Sequence, residues 1–117
     1  MRSKPYDLAE RTFLFAKEVA LFCKRVLHNV LNDEYVRQLV RSSGSVGANY
    51  IEANESLGKK DFLMKIKTCR REARESAYWI RLLEETNAPG LNSSAEELMA
   101  EASELKKIFS SIAEKSR

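Results

Sequence analysis

At 117 residues, with 44% hydrophobic and 32% charged side chains, the chain has the size and balance of one soluble globular domain. A formal net charge of +3 is too small to imply nucleic-acid binding, so such a function has to rest on where the charges lie. Two cysteines argue against a disulfide framework, no apolar run approaches the roughly 18 residues of a membrane span, and the start MRSKPYDLAERTF lacks the apolar stretch of a secretory signal, so a cytoplasmic protein with reduced thiols is expected.

Two prolines and four glycines in a chain rich in Leu, Ala, Glu, Lys and Arg point to an all-helical fold. From about residue 7 to 30, Leu8, Thr12, Phe15, Val19, Phe22 and Val26 alternate steps of four and three, the spacing of an amphipathic helix. Asn32 or Asp33 is suited to cap a second helix over about 33–56, with Val36, Leu39, Val40, Ser43, Gly47, Tyr50 and Ile51 on one side and Gly58 as a stop. The third, about 59–87, is the most regular, repeating the same step through Phe62, Ile66, Cys69, Ala73, Ser76, Ile80 and Leu83 until NAPG ends it. The fourth, about 93–115, opens on two overlapping capping boxes, Ser93 with Glu96 and Ser94 with Glu97, and continues through Leu98, Ala102, Leu105, Phe109 and Ile112. Four long helices with short connections predict an antiparallel, up-down-up-down four-helix bundle.

Residues 42–54, SSGSVGANYIEAN, have the composition of a loop. A phosphate loop needs GxxxxGK followed by Ser or Thr, yet here the glycines stand three apart with no following Lys. A dinucleotide fingerprint needs GxGxxG after a strand, and the GxxG of a single-strand-binding loop needs a sheet-containing fold. As a helix the stretch divides into a packing side with Gly47 and a polar side with Ser45, Asn49 and Glu52. Two glycines inside a helix cost about 2 kcal/mol against alanine, so close approach of another backbone is expected to offset them.

SVGANYIEAN resembles the Ser-Ile/Val-x-Ala-Asn-x-x-Glu signature of the four helix bundle protein family, whose founding members are encoded in intervening sequences of bacterial large-subunit ribosomal RNA genes. Ser45, Val46, Ala48, Asn49 and Glu52 occupy the signature positions. DFLMKIKTCRREARESAYWIRLLEE resembles the family's third helix at Phe62, Ile66, Glu72, Ala73, Arg74, Glu75, Tyr78, Trp79, Leu82 and Leu83. Gly47 stands where many members have proline. The resemblance covers about residues 6–115 and implies a ring-like homo-oligomer, commonly a pentamer, without established catalytic activity. The family is also similar to the accessory protein of diversity-generating retroelements, a pentamer that works with a reverse transcriptase and binds nucleic acid.

Three surfaces are candidates for partners. Ser45, Asn49 and Glu52 are expected to face away from the intrachain core and to fix register between subunits. Trp79, near Met64 and Leu82, forms an apolar patch suited to a protein partner or to the edge of the chain's own core. Residues 59–81 hold eight Lys or Arg against three Asp or Glu, and Lys60, Lys67, Arg71, Arg74 and Arg81 lie opposite the core stripe with Tyr78 among them. A basic stripe containing an aromatic side chain serves sequence-tolerant binding of RNA or DNA by phosphate neutralisation and base stacking, and the alternative is a solvated or ion-paired face. Catalysis is not expected: His28, at the end of the first helix, is the sole histidine, a di-iron bundle needs paired Glu-x-x-His motifs, and two core cysteines make no zinc site. The expected function is a non-catalytic homo-oligomeric scaffold or adaptor, without metal or cofactor, that contacts nucleic acid or a nucleic-acid enzyme such as a reverse transcriptase. The alternative is a purely structural or protein-interaction module.

Overall fold

Helices account for nearly all of residues 7–117, the part of the chain that the structure, a computed structural model, describes. The reading of the first six residues as lacking a secretory signal lies outside that range. The order is α1 (Leu8–Lys24), α2 (Val30–Asn54), α3 (Lys59–Glu85), a single 3-10 turn at Pro89–Leu91, and α4 (Asn92–Lys115), with no strand among the described residues. Consecutive helices run antiparallel. The α2–α3 and α3–α4 seams are extensive, α1–α2 less so, and α1 only skirts α4. This is the expected four-helix bundle, open along one side.

The four-three stripes read from sequence form its core. Leu8, Thr12, Phe15, Val19, Phe22 and Val26 are all buried, as are Ile66, Cys69, Ala73, Ser76, Ile80 and Leu83, and Leu98, Ala102, Leu105 and Phe109. In α2 the buried line differs from the expected one. Leu39, Val46 and Ala53, two turns apart, carry it with Ser42 and Ser43, whereas Val40 (49% exposed) and Ile51 (59%) lie outside. The helix is turned towards α3 because the small Ser42 and Ser76 side chains let the two backbones approach, their hydroxyl oxygens meeting 3.0 Å apart at a fully buried point. Each hydroxyl also has a carbonyl of its own helix within reach, Leu39 and Glu72 respectively, so neither is left without a partner.

SSGSVGANYIEAN is continuous helix. Gly47 packs on α1, where a β-carbon would stand 2.9 Å from the Thr12 hydroxyl oxygen and 3.2 Å from its β-carbon. The expected close approach therefore exists at Gly47. At Gly44 none of the described residues lies within 4 Å of such a β-carbon.

Several ends differ from the sequence reading. α1 stops at Lys24 rather than near residue 30, the amides of Arg25 and Val26 tightening onto Phe22 and Cys23. Asn29, not Asn32 or Asp33, caps α2, its side chain accepting the Asn32 amide at 2.8 Å. Asn32 is buried and exchanges two side-chain hydrogen bonds with Asn87 (2.9 and 3.0 Å) while donating to the Leu27 carbonyl. Asn87 also donates to Leu83, so the α1–α2 connection is tied to the end of α3. Gly58 immediately precedes α3 rather than stopping α2. Neither capping box of α4 forms, because the 3-10 turn leads straight into the helix and Leu91 is already helical.

Candidate nucleic-acid interface

In α3 the core stripe faces inward, and this orientation sends the basic stripe outward on the side of α4. Lys60, Lys67, Arg71, Arg74, Tyr78 and Arg81 are all exposed, Tyr78 at 60%. The structure thus brings the six predicted residues onto one face. It adds two that the sequence reading missed. Lys67, Arg70, Arg71, Arg74 and, from α4, Lys106 surround a hollow of about 540 Å³ whose lining contains no carboxylate. Arg70 lies one turn before Arg74 and was legible from spacing. Lys106 was not, because its place depends on how α4 pairs with α3.

The acidic residues that could have neutralised this face are engaged elsewhere. Glu75 points to Arg41 on α2 at 4.0 Å, Glu101 bridges to Arg11, and Glu104 and Glu114 pair with Lys107 and Arg117. Within the stripe only Arg71 (Glu72, 3.4 Å) and Arg81 (Glu85, 3.1 Å) have ion partners among the described residues. Clustered, exposed cations repel one another modestly in water and attract a polyanion over roughly a Debye length, about 8 Å at physiological salt. The hollow can therefore receive phosphates without a large desolvation cost, and Tyr78, one helical turn beyond Arg74 on the same exposed face, offers a ring for stacking.

The four residues expected at an oligomer interface lie on the α2–α3 side, away from the basic hollow. Ser45 and Asn49 are half-buried on the flank of α2 towards α3 and are bonded to each other, the Asn49 amide donating to the Ser45 carbonyl and hydroxyl at 2.8 Å. Glu52 is exposed and pairs with Lys65 of α3 at 3.5 Å. Trp79 is half-buried, edge-on to Tyr78 with centroids 5.1 Å apart and 6.1 Å from Tyr35 of α2. On the same flank of α3 lie the Glu72 carboxylate oxygen Oε1 and the Trp79 indole nitrogen, buried and without a hydrogen-bond partner among the described residues. The pairs Ser42–Ser76 and Glu52–Lys65 set the register of this seam and bring Glu72 level with Ser45, so the two family-like motifs meet here.

Elsewhere, His28 is exposed and its Nδ1 lies 3.1 Å from Asp33. Among the described residues no group of His, Cys, Asp or Glu is assembled as a metal site, and no helix is long and apolar enough to cross a membrane.

A family model described as 23S rRNA-intervening sequence protein matches residues 4–111 of the chain. The chain belongs to this family. Its fold is similar to the crystal structure of a protein of unknown function from the S23 ribosomal protein family of Bacteroides thetaiotaomicron, with a TM-score of 0.79, 27% identity, and 90% of this chain and 96% of that one covered. No curated protein matches. Of the motif positions noted above, Ser45, Asn49, Glu52, Glu72 and Trp79 lie on the α2–α3 side, whereas Arg74 and Tyr78 lie on the basic face.

Proposed function

We propose that the protein is a non-catalytic scaffold or adaptor of the cytoplasm that assembles with copies of itself, as a ring of five chains by its resemblance, and contacts RNA or DNA, or an enzyme acting on them such as a reverse transcriptase. The observation that carries the nucleic-acid part is the hollow between α3 and α4, with five cations, no carboxylate in its lining, and Lys67, Arg70, Arg74 and Lys106 free of ion partners among the described residues. Of the five, only Arg71 has an ion partner among the described residues, Glu72 at 3.4 Å. Repetition of the hollow around a ring raises a weak contact to a useful one by avidity. The assembly part draws support from Ser45, Asn49, Glu52 and Trp79 sharing one side with two buried polar atoms, of Glu72 and Trp79, that the described residues do not satisfy.

The test is retention of single-stranded and structured RNA by wild type and by Arg71→Glu combined with Arg74→Glu. Loss of binding in the variant with its mass in solution unchanged is expected. Equal binding by the two proteins would reject the basic face, and no binding by wild type at low salt would leave the purely structural module as the reading.

A further inference from the structure

The side of the bundle where α1 only skirts α4 is a groove of about 490 Å³. Its floor is Phe15, Phe22 and Leu98, and its lip carries Leu14 (40% exposed) and Leu21 (46%). The groove is crossed near its two ends, by Arg11 forked on Glu101 at 2.7 and 2.9 Å and by Arg25 reaching Ser94 at 2.7 Å. Between these ties Glu18 and Glu97 line it, and neither has an ion partner among the described residues. On the other side of α1 the outer surface of α2 presents Val40, Gly44, Ala48 and Ile51, all exposed, with Phe13 of α1 (59%) beside them. Gly44 costs this helix about 1 kcal/mol, and none of the described residues comes close enough to exploit its missing side chain. Among the described residues the chain thus carries both an open groove with an apolar floor and an exposed apolar ridge.

Their charges match at one register. Thr12 lies against Gly47, and α1 and α2 are antiparallel, so six residues onward along α1, at Glu18, the level on α2 is Arg41; at Arg25 it is Glu34. Glu97 falls midway between Ser94 and Glu101, level with Glu18. Rotation of one copy onto the next about an axis parallel to the bundle preserves these levels. It sets Arg41 of one copy, whose only ion contact among the described residues is the long one to Glu75 at 4.0 Å, level with Glu18 and Glu97 of its neighbour, and Glu34, paired with Arg37 in its own chain, level with Arg25.

Resting on the self-assembly reading above, but placing the contact on a different surface from Ser45, Asn49, Glu52 and Trp79, we propose that the α2 ridge of one copy (Val40, Gly44, Ala48, Ile51) seats in the α1–α4 groove of the next, with Arg41 against Glu18 and Glu97. The contact is head-to-tail. Ridge and groove flank the same helix, α1, so successive copies turn rather than run straight, and a head-to-tail contact of this kind can close into a ring. α1 faces the interior and α3, diagonally across the bundle, carries its basic stripe on the outside, free for nucleic acid. Small residues at Gly44 and Ala48 let the two backbones approach, while the charges select the register.

Light scattering across a dilution series tests this with Glu18→Arg, Arg41→Glu and the two combined, all at exposed positions, with circular dichroism as the check on folding. Each single reversal is expected to weaken assembly by about tenfold or more, and the combined variant to recover most of it. If the single variants assemble like wild type, or the combined variant recovers nothing, the ridge-in-groove contact is wrong while self-assembly stands. A wild-type protein with single-chain mass at every concentration removes the self-assembly reading itself, and this contact with it.

Discussion

Gly47 and Thr12 touch so closely across the α1–α2 seam that a β-carbon at position 47 would fall 2.9 Å from the Thr12 hydroxyl oxygen. That hydroxyl is held by the Leu8 and Ala9 carbonyls of its own helix, at 2.9 and 3.0 Å, and has little freedom to retreat. Gly47→Leu is therefore expected to destabilise the fold by about 3 kcal/mol through overpacking. Gly44→Ala, one turn away with open space around it, should raise the stability of the isolated chain by about 1 kcal/mol. Urea unfolding of both variants checks the contrast; similar effects would mean that the two glycines do not sit in different surroundings.

The reciprocal amide pair of Asn32 and Asn87 is the polar tie between the α1–α2 connection and the end of α3. Asn32→Ala removes its donor to Leu27 and its exchange with Asn87, at a cost of about 2 kcal/mol. Asn32→Asp should cost more, since an ionised carboxylate cannot donate to the Leu27 carbonyl and is buried besides. Thermal melts at neutral pH would show the order wild type, Ala, Asp; an Asp variant as stable as wild type would contradict the burial of this group.

Both cysteines are free thiols, Cys69 buried in the core and Cys23 partly buried against it. Burial pushes Cys69 up to about 12 and Cys23 up to about 11, from an ordinary 9.0. A folded-state pKa above the unfolded one gives stability that is complete below pH 9 and declines as pH rises from there through the folded values, because the unfolded chain releases protons first. Melting temperature is thus expected to fall above about pH 9, and to fall less steeply in Cys69→Ala than in wild type. In the folded protein Cys69 should resist thiol reagents at pH 8 and react once denaturant is added. Identical slopes, or rapid labelling of the native protein, would go against a buried thiol.

Sequence and structure agree where large apolar residues repeat without interruption, as from Ile66 to Leu83. They part where that signal thins. In α2 the serines, glycines and alanines give no hydrophobic contrast, so Val40 and Ile51 looked like core and Val46 did not. The orientation is set by neighbours, Ser76 on one flank and Thr12 on the other, and these are unknowable before the helices are paired. Caps failed for a related reason: Ser93 and Ser94 carry a capping pattern, but the 3-10 turn before them had already supplied the helix start. At the candidate interface the α3 stripe was legible because one helix carries it. Lys106 and the free groove between α1 and α4 belong to pairs of helices and were not.

Lys106 gives a direct check on that difference. Lys106→Glu should weaken nucleic-acid binding although α4 carries no basic stripe of its own. It should also reduce the slope of log affinity against log salt by about one contact's worth. A change at Lys107, which pairs with Glu104, should do much less. Equal effects from the two lysines would indicate diffuse attraction rather than a built hollow.

The most direct measurement is the salt dependence of binding between the wild-type protein and a short single-stranded RNA of mixed sequence, followed by anisotropy from low to physiological ionic strength. Binding is expected at low salt and should fall steeply and linearly on logarithmic axes, with a slope corresponding to about four or more phosphate contacts. No binding at the lowest salt, or binding indifferent to salt, would contradict nucleic-acid contact through the basic hollow.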